Sequence, residues 1–211
     1  MPRYLIKEKV SNGNKQLKLL VMKYIIVGGV AGGATAAARI RRINEEAEII
    51  LLEKGKYISY ANCGLPYYIG GVISDREKLF LQTPASFGGR FNIDVTVENE
   101  VVSIDKDKKE VTIKKNDGTL YSENYDKLLL SPGAYPVRPS IKGIESEGIF
   151  TLRNVTDTDR IKNYITTHDI KKAVVVGAGF IGLEMAENLY EAGAEVTIVE
   201  MANQVMTPID F

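Results

Sequence analysis

The spacing of apolar positions changes several times along this chain, and the changes outline its elements. Residues 23–27, Lys-Tyr-Ile-Ile-Val, form a short apolar run that ends in glycines. Such a run reads as a strand of a parallel sheet, buried on both faces. Residues 34–43 are alanine-rich and carry Arg39, Arg41 and Arg42, which predicts a helix. Residues 47–53 are a second strand, closed by Glu53. Together these make a β-α-β unit of about 30 residues.

The middle of the chain has a different rhythm. Residues 93–97, 100–105 and 110–114 alternate apolar and polar side chains, and Asn116-Asp117-Gly118 marks a turn before Leu120 and Tyr121. An antiparallel meander is expected here. Residues 125–130 read as another buried strand, stopped by Ser131-Pro132-Gly133-Ala134. Pro136 and Pro139 then suggest a crossing between domains. A helix is expected over 156–165. The β-α-β pattern returns with strands over 172–176 and 195–200 and a helix over 180–192.

The expected fold class is α/β, with tandem Rossmann-like domains. The first would span 22–140 and hold the meander; the second would span 141–211. The pattern stops after the second strand of the second domain, so that domain is expected to be incomplete. A length of 211 residues suits one large domain or two small ones, and 45% hydrophobic residues suffice for a core.

Charge removes some classes of function. Lys+Arg and Asp+Glu stand at 27 each, which gives no bias towards nucleic acid. No apolar run reaches the roughly 18 to 20 residues of a membrane span. The single cysteine excludes an internal disulfide framework and suits a reducing, cytoplasmic compartment. Residues 1–21 are Lys-rich, broken by Ser11-Asn12-Gly13-Asn14, and lack the features of a secretory signal. They read as a disordered extension or the product of an upstream start codon, with an organelle-targeting peptide as the alternative.

Two glycine motifs carry candidate chemistry. The downstream one is Gly177-x-Gly179-x-x-Gly182, with Phe180 and Ile181 opening the helix. Its glycines permit a tight turn, approach of a pyrophosphate, and close helix packing. The helix N-terminus offers unpaired N–H groups to phosphate. Glu200, at the end of the next strand, is placed to accept from a ribose 2′-hydroxyl. A 2′-phosphate there would be repelled by about 4 kcal/mol at 4 Å and an effective dielectric near 20, which favours NADH over NADPH.

The upstream motif is Gly28-Gly29-Val30-Ala31-Gly32-Gly33, with Val30 in the second glycine position. Glu53, followed by Lys54, is its ribose-binding candidate. For either motif the competing reading is a glycine-rich turn that binds nothing.

Cys63 lies between the two motifs, in Ser59-Tyr60-Ala61-Asn62-Cys63-Gly64-Leu65-Pro66. A free cysteine is often a small buried hydrophobe. Gly64 and Pro66 instead suggest a turn into a short helix that starts near the thiol, where a lowered pKa would make it reactive. Ser59 and Asn62 add polar groups for a substrate. His168, the one histidine, reads as a solvated loop residue. One His and one Cys cannot assemble a metal cluster, so no metal is expected. No Gly-x-Ser-x-Gly elbow accompanies His168, so a Ser-His-Asp hydrolase is not expected.

With these motifs in place, the chain resembles the FAD-dependent pyridine nucleotide-disulfide oxidoreductases, in the single-cysteine branch that holds the coenzyme A disulfide reductases. The resemblance is carried by the two glycine loops, by residues 59–71, and by Gln82-Thr83-Pro84, Ser131-Pro132-Gly133-Ala134 and Thr151-Leu152-Arg153-Asn154. It implies a glutathione-reductase-like pair of FAD and NAD(P) domains, both incomplete. The segment from Gly28 to Glu53, with Lys54, Ser131, Pro132 and Gly133, would bind FAD, and the segment from Gly177 to Glu200 would bind NADH or NADPH.

The resemblance makes Cys63 the nucleophile that alternates between thiolate and a mixed disulfide. It places Thr35, Arg39, Arg42, Ser59 and Asn62 at or near coenzyme A contacts, where the arginines could pair with phosphates. For Arg39 and Arg42 a solvated helix face is an equal reading. Relatives that reduce oxygen or peroxide carry a histidine where Ala31 stands, so a disulfide, persulfide or polysulfide is the expected acceptor. An NADH oxidase or peroxidase, and an inactive nucleotide-binding fragment, are the alternatives. A homodimeric parent is implied as well.

Overall fold

The computed structural model describes residues 21–209. The extension expected over 1–21 lies outside the described residues apart from Val21. In chain order the elements are β1 (Lys23–Val27), α1 (Ala31–Ile43), β2 (Glu48–Glu53), α2 (Leu65–Gly70), α3 (Pro84–Phe91), β3 (Asp94–Val97), β4 (Asn99–Asp105) and β5 (Glu110–Lys115). They continue with β6 (Leu120–Asn124), β7 (Lys127–Leu130), α4 (Val155–His168), β8 (Lys172–Val176), α5 (Phe180–Glu191) and β9 (Glu195–Val199). Short 3-10 turns cover Asn62–Gly64 and Arg76–Leu79.

The chain divides into two compact units. Among the described residues, 21–58 and 84–132 form the first, and 59–83 and 133–209 form the second. The division falls at 132/133 rather than 140/141, and the Cys63 segment groups with the second unit.

The first unit is built on a parallel sheet of order β3-β2-β1-β7. Alternation along β1 and β2 explains its layering. Ile26, Ile49 and Leu51 pack on one face with Ala34, Ala37 and Ala38 of α1 and Phe87 of α3. Ile25, Ile50 and Leu52 pack on the other with Val111 and Ile113 of β5. Each fully buried isoleucine or leucine stabilises the unit by about 1.5–3 kcal/mol. The alanines of α1 let that helix lie close to the strands.

The meander is the antiparallel sheet β4-β5-β6. Residues 93–97, expected to join it, do not: Asp94–Val97 pairs parallel with Ile50–Glu53 of β2. The physical reason is its place at the sheet edge. Val95 and Val97 pack against the α1-side core while Asp94 is exposed and Thr96 is polar, and that alternation of apolar and polar residues imitates a meander strand. The turn at Asn116-Asp117-Gly118 is where expected, with Gly118 at φ 88°.

In the second unit β8 and β9 pair in parallel, with α5 between them in sequence. Its core joins Ile69 of α2, Ile161 of α4, and Met185 and Leu189 of α5. Gly70 packs against Asn188, leaving no room for a side chain where α2 meets α5. Helix α4 is capped by its own sequence. Asp157 N–H donates to Asn154 Oδ1 at 2.9 Å, and Asn154 N–H donates back to Asp157 Oδ2 at 3.3 Å. Among the described residues no helix is long and apolar enough to cross a membrane.

Candidate functional site

The two glycine loops repeat one design. Each follows the first strand of a β-α-β unit and leads into a helix of 13 or 12 residues. Gly28 and Gly177 both turn the chain in the left-handed region, at φ 97° and 96°. A side chain on Gly33 would collide with the Gly28 carbonyl, and one on Gly182 with the Gly177 carbonyl. These glycines therefore let the helix start directly against the turn.

The helix starts suit an anion. Neither α1 nor α5 has a side-chain N-cap hydrogen bond or an acidic residue in its first turn. Their first N–H groups are thus left to solvent or a ligand. Helix α4, with its capping box, is already satisfied by Asn154 and Asp157. Helix α1 begins at Ala31, three residues earlier than expected, so Ala31, Gly32 and Gly33 are its first turn.

The second glycine position distinguishes the loops. A side chain added at Gly179 would meet nothing within 4 Å, so that face of the second loop is open. Val30 occupies the equivalent place in the first loop. Ser131 closes the first loop on another side. Its N–H donates to Val27 O at 2.7 Å, and a side chain at Gly32 would lie 2.5 Å from its hydroxyl. Pro132 ends the first unit, and Gly133, at φ 70°, belongs to the second.

The two candidate ribose acids also match. Glu53 Oε2 accepts from Gly29 N–H at 2.7 Å, and its Oε1 accepts from Gly55 N–H at 2.7 Å. Glu200 Oε2 accepts from Ala178 N–H at 2.7 Å, and its Oε1 from Ala202 N–H at 2.9 Å. Each carboxylate bridges its glycine loop to the turn after its strand. The Ala202 and Ala178 N–H groups hold the Glu200 carboxyl below its ordinary value. Two carboxylate oxygens offer about four acceptor positions, so capacity for ribose hydroxyls remains in each site. Both loops therefore fit a dinucleotide such as FAD or NAD(P)H. Lys54 is ion-paired with Glu100 at 2.8 Å.

Cys63 is exposed and sits in the 3-10 turn Asn62–Gly64, just before α2. That turn is held from both sides. Residue 60 bridges residue 80 in antiparallel fashion, with Ala61 N–H donating to Leu79 O at 2.8 Å and Leu81 N–H to Ser59 O at 2.9 Å. Ser59 is a non-glycine residue in the left-handed region, at φ 45°. Leu65 and Ile69 are buried and anchor α2, which follows the turn directly in sequence, and Ile69 packs with Ile161, Met185 and Leu189. Asn62 is exposed beside Cys63.

The five substrate candidates divide between the units. Ser59 and Asn62 share the second unit with Cys63, while Thr35, Arg39 and Arg42 lie on α1 of the first. Their spacing of four and three residues puts those three on one helix face. All three are exposed, and the Arg42 guanidinium lies 5.9 Å from the Phe91 ring centre. Their neighbour Arg41 is spent on structure, donating to the carbonyls of Phe91, Asn92, Asn44 and Glu45.

His168 is not in a loop. It is the last residue of α4, where its ring stacks on Tyr164 at 4.0 Å and Nδ1 lies 3.0 Å from the Tyr164 carbonyl. The longer helix, started by Asn154, explains the difference. Sequence reasoning also missed the bridging amides of Gly55, Ala178 and Ala202, and the strand partner of Cys63's segment at 79–82. Amide positions depend on turn geometry, which no motif spells out.

Comparison with known proteins fits this geometry. A family model described as pyridine nucleotide-disulphide oxidoreductase matches residues 22–210. Coenzyme A disulfide reductase of Staphylococcus haemolyticus is 44% identical over 189 residues, 89% of this chain and 42% of that protein. The structure of reduced CoADR-RHD from Bacillus anthracis shares 59% identity at a TM-score of 0.89, over 92% of this chain and 35% of the other. A NAD-dependent persulfide reductase from A. fulgidus shares 42% identity at a TM-score of 0.84, over 88% of this chain and 35% of the other. The chain thus spans less than half the length of the relatives it matches. Both glycine loops, both bridging acids and the turn that carries Cys63 lie within the matched span, and the chain belongs to the pyridine nucleotide-disulphide oxidoreductase family.

Proposed function

We propose that this chain carries the nucleotide loops and the redox thiol of an oxidoreductase that takes electrons from NAD(P)H and reduces coenzyme A disulfide or a related persulfide or polysulfide. The observation that carries the reading is the exposed Cys63, the only cysteine in the sequence, set in a braced turn of a chain with two dinucleotide loops.

In this reading the first loop, from Gly28 to Gly33, with Glu53, Lys54, Ser131, Pro132 and Gly133, holds FAD. Gly177, Gly179, Phe180, Ile181, Gly182 and Glu200 hold the nicotinamide nucleotide, with NADH favoured by the Glu200 carboxylate. Bound FAD would supply the two-electron relay between nicotinamide and sulfur. The helix starts at Ala31 and Phe180 orient the pyrophosphates, and Glu53 and Glu200 accept from ribose hydroxyls.

Cys63 performs the exchange chemistry. Its thiolate attacks one sulfur of the disulfide substrate, whose S–S bond breaks and releases one thiolate. The product is a mixed disulfide on Cys63. Two electrons, supplied by NAD(P)H, cleave that bond, return the Cys63 thiolate and release the second thiolate, which takes a proton from water. Ser59 and Asn62 supply polar contacts beside the sulfur. Thr35, Arg39 and Arg42 bind the coenzyme A phosphates, and a homodimer is the assembly that goes with the whole protein.

The test is NADH-dependent thiol release from coenzyme A disulfide by the chain supplied with FAD. Turnover that disappears in Cys63→Ser, with the flavin spectrum kept, is the expected result. Oxygen uptake without thiol release would move the assignment to an NADH oxidase. A chain that takes up no flavin would be a nucleotide-domain fragment without the activity.

A further inference from the structure

The segment that carries Cys63 is fastened to α4 by two polar ties. Lys162 Nζ donates to the Tyr68 carbonyl near the C-terminal end of α2, and lies 4.2 Å from the centre of the Tyr68 ring. The same carbonyl accepts from Gly71 N–H at 3.3 Å, so both of its lone pairs are used. Arg76 makes a two-pronged pair with Asp159, Nε to Oδ1 at 2.9 Å and Nη2 to Oδ2 at 2.7 Å. Asp159 and Lys162 are three residues apart, on one face of α4.

Helix α2 needs such ties. Its six residues are far fewer than an isolated helix requires for stability. A cation at its last carbonyls opposes fraying from that end. Tyr68 stands five positions after Cys63, so fraying would propagate directly to the turn that holds the sulfur.

Resting on the reading of Cys63 as the reacting thiol, we infer that Lys162 is a positioning residue: by holding the Tyr68 carbonyl it fixes the direction in which Cys63 Sγ meets a bulky disulfide, and Asp159 does the same through Arg76. A small reagent can approach an exposed sulfur from many directions. A large disulfide held elsewhere along its length can react only when the sulfur lies on its line of attack. The contribution is therefore one of orientation, and it should separate substrates by size.

The sole cysteine makes the experiment direct. Cys63 thiolate breaks the S–S bond of coenzyme A disulfide, forms a Cys63–coenzyme A disulfide and releases one coenzyme A thiolate, which takes a proton from water. The rate is read as thiol released and as the mass gained by the chain, without NADH. A small aromatic disulfide, dithiobis(nitrobenzoate), is the comparison reagent. Lys162→Met should slow the reaction with coenzyme A disulfide about five- to tenfold and leave the aromatic reagent within about twofold. Lys162→Arg should restore the wild-type rate.

Equal rates in Lys162→Met and wild type overturn the inference, and so does an equal slowing with both reagents. If Lys162→Met loses helical circular dichroism, Asp159→Asn is judged by the same two criteria. A wild-type chain that reacts with the aromatic reagent but not with coenzyme A disulfide removes the substrate reading, and this inference with it. A reactive wild type with an unaffected variant removes this inference alone.

Discussion

Gly182 lies so close under Gly177 that a single methyl group on it would run into the Gly177 carbonyl oxygen, and Gly33 stands in the same relation to Gly28. Backbone cannot yield as a flexible side chain can. Gly33→Ala and Gly182→Ala should each destabilise their unit by about 1–3 kcal/mol. Urea unfolding would show it, and Gly33→Ala should also lose the bound-flavin spectrum.

Gly179 offers the opposite case. Nothing lies within 4 Å of an added side chain there, so the fold should accept one. Gly179→Val should unfold within about 0.5 kcal/mol of the parent chain. Its NADH affinity should nevertheless fall, because the added atoms occupy the approach of the pyrophosphate. A titration followed by nicotinamide fluorescence would separate the two effects.

Glu200 gives a pH signature. Its carboxyl is held below the ordinary value by the Ala202 and Ala178 N–H groups. The bridge is therefore fully formed above the unfolded-state value of a glutamate and is lost as the pH falls through the lower folded value. The Ala178 and Ala202 amide resonances should shift together in an acid titration, with a midpoint below that of an unpaired glutamate. In Glu200→Gln neither should titrate in that range.

Arg41 and Arg39 should part company. Arg41 donates to carbonyls of Phe91, Asn92, Asn44 and Glu45, and all four lose that donor in Arg41→Ala. A loss of about 1–3 kcal/mol in stability is expected, with the reactivity of Cys63 unchanged. Arg39→Ala, on an exposed face, should leave stability within about 0.5 kcal/mol. It should instead slow the reaction with coenzyme A disulfide several-fold at limiting substrate.

The β-α-β units were legible because their strands are continuous apolar runs and their glycines stand at fixed offsets. Helix α3 was not, because Gly88 and Gly89 interrupt the pattern that Phe87 and Phe91 complete only in three dimensions, with ring centres 4.9 Å apart. Strand β3 was misplaced because an edge strand with one buried face alternates like a meander strand. At the site, Glu53 and Glu200 could be named as ribose candidates from position alone. Their second task, bridging the loop to the turn after the strand, depends on where the Gly55 and Ala202 amides point.

The route of the chain has a consequence for its synthesis. Lys23 N–H donates to Asp126 across a separation of 103 residues, and Tyr68 and Arg76 wait 94 and 83 residues for Lys162 and Asp159. Contacts of such long range form late and fold slowly. As the polypeptide leaves the ribosome, Cys63 emerges well before α4, so the nascent thiol spends part of its early life while Tyr68 and Arg76 still lack their ties to Lys162 and Asp159.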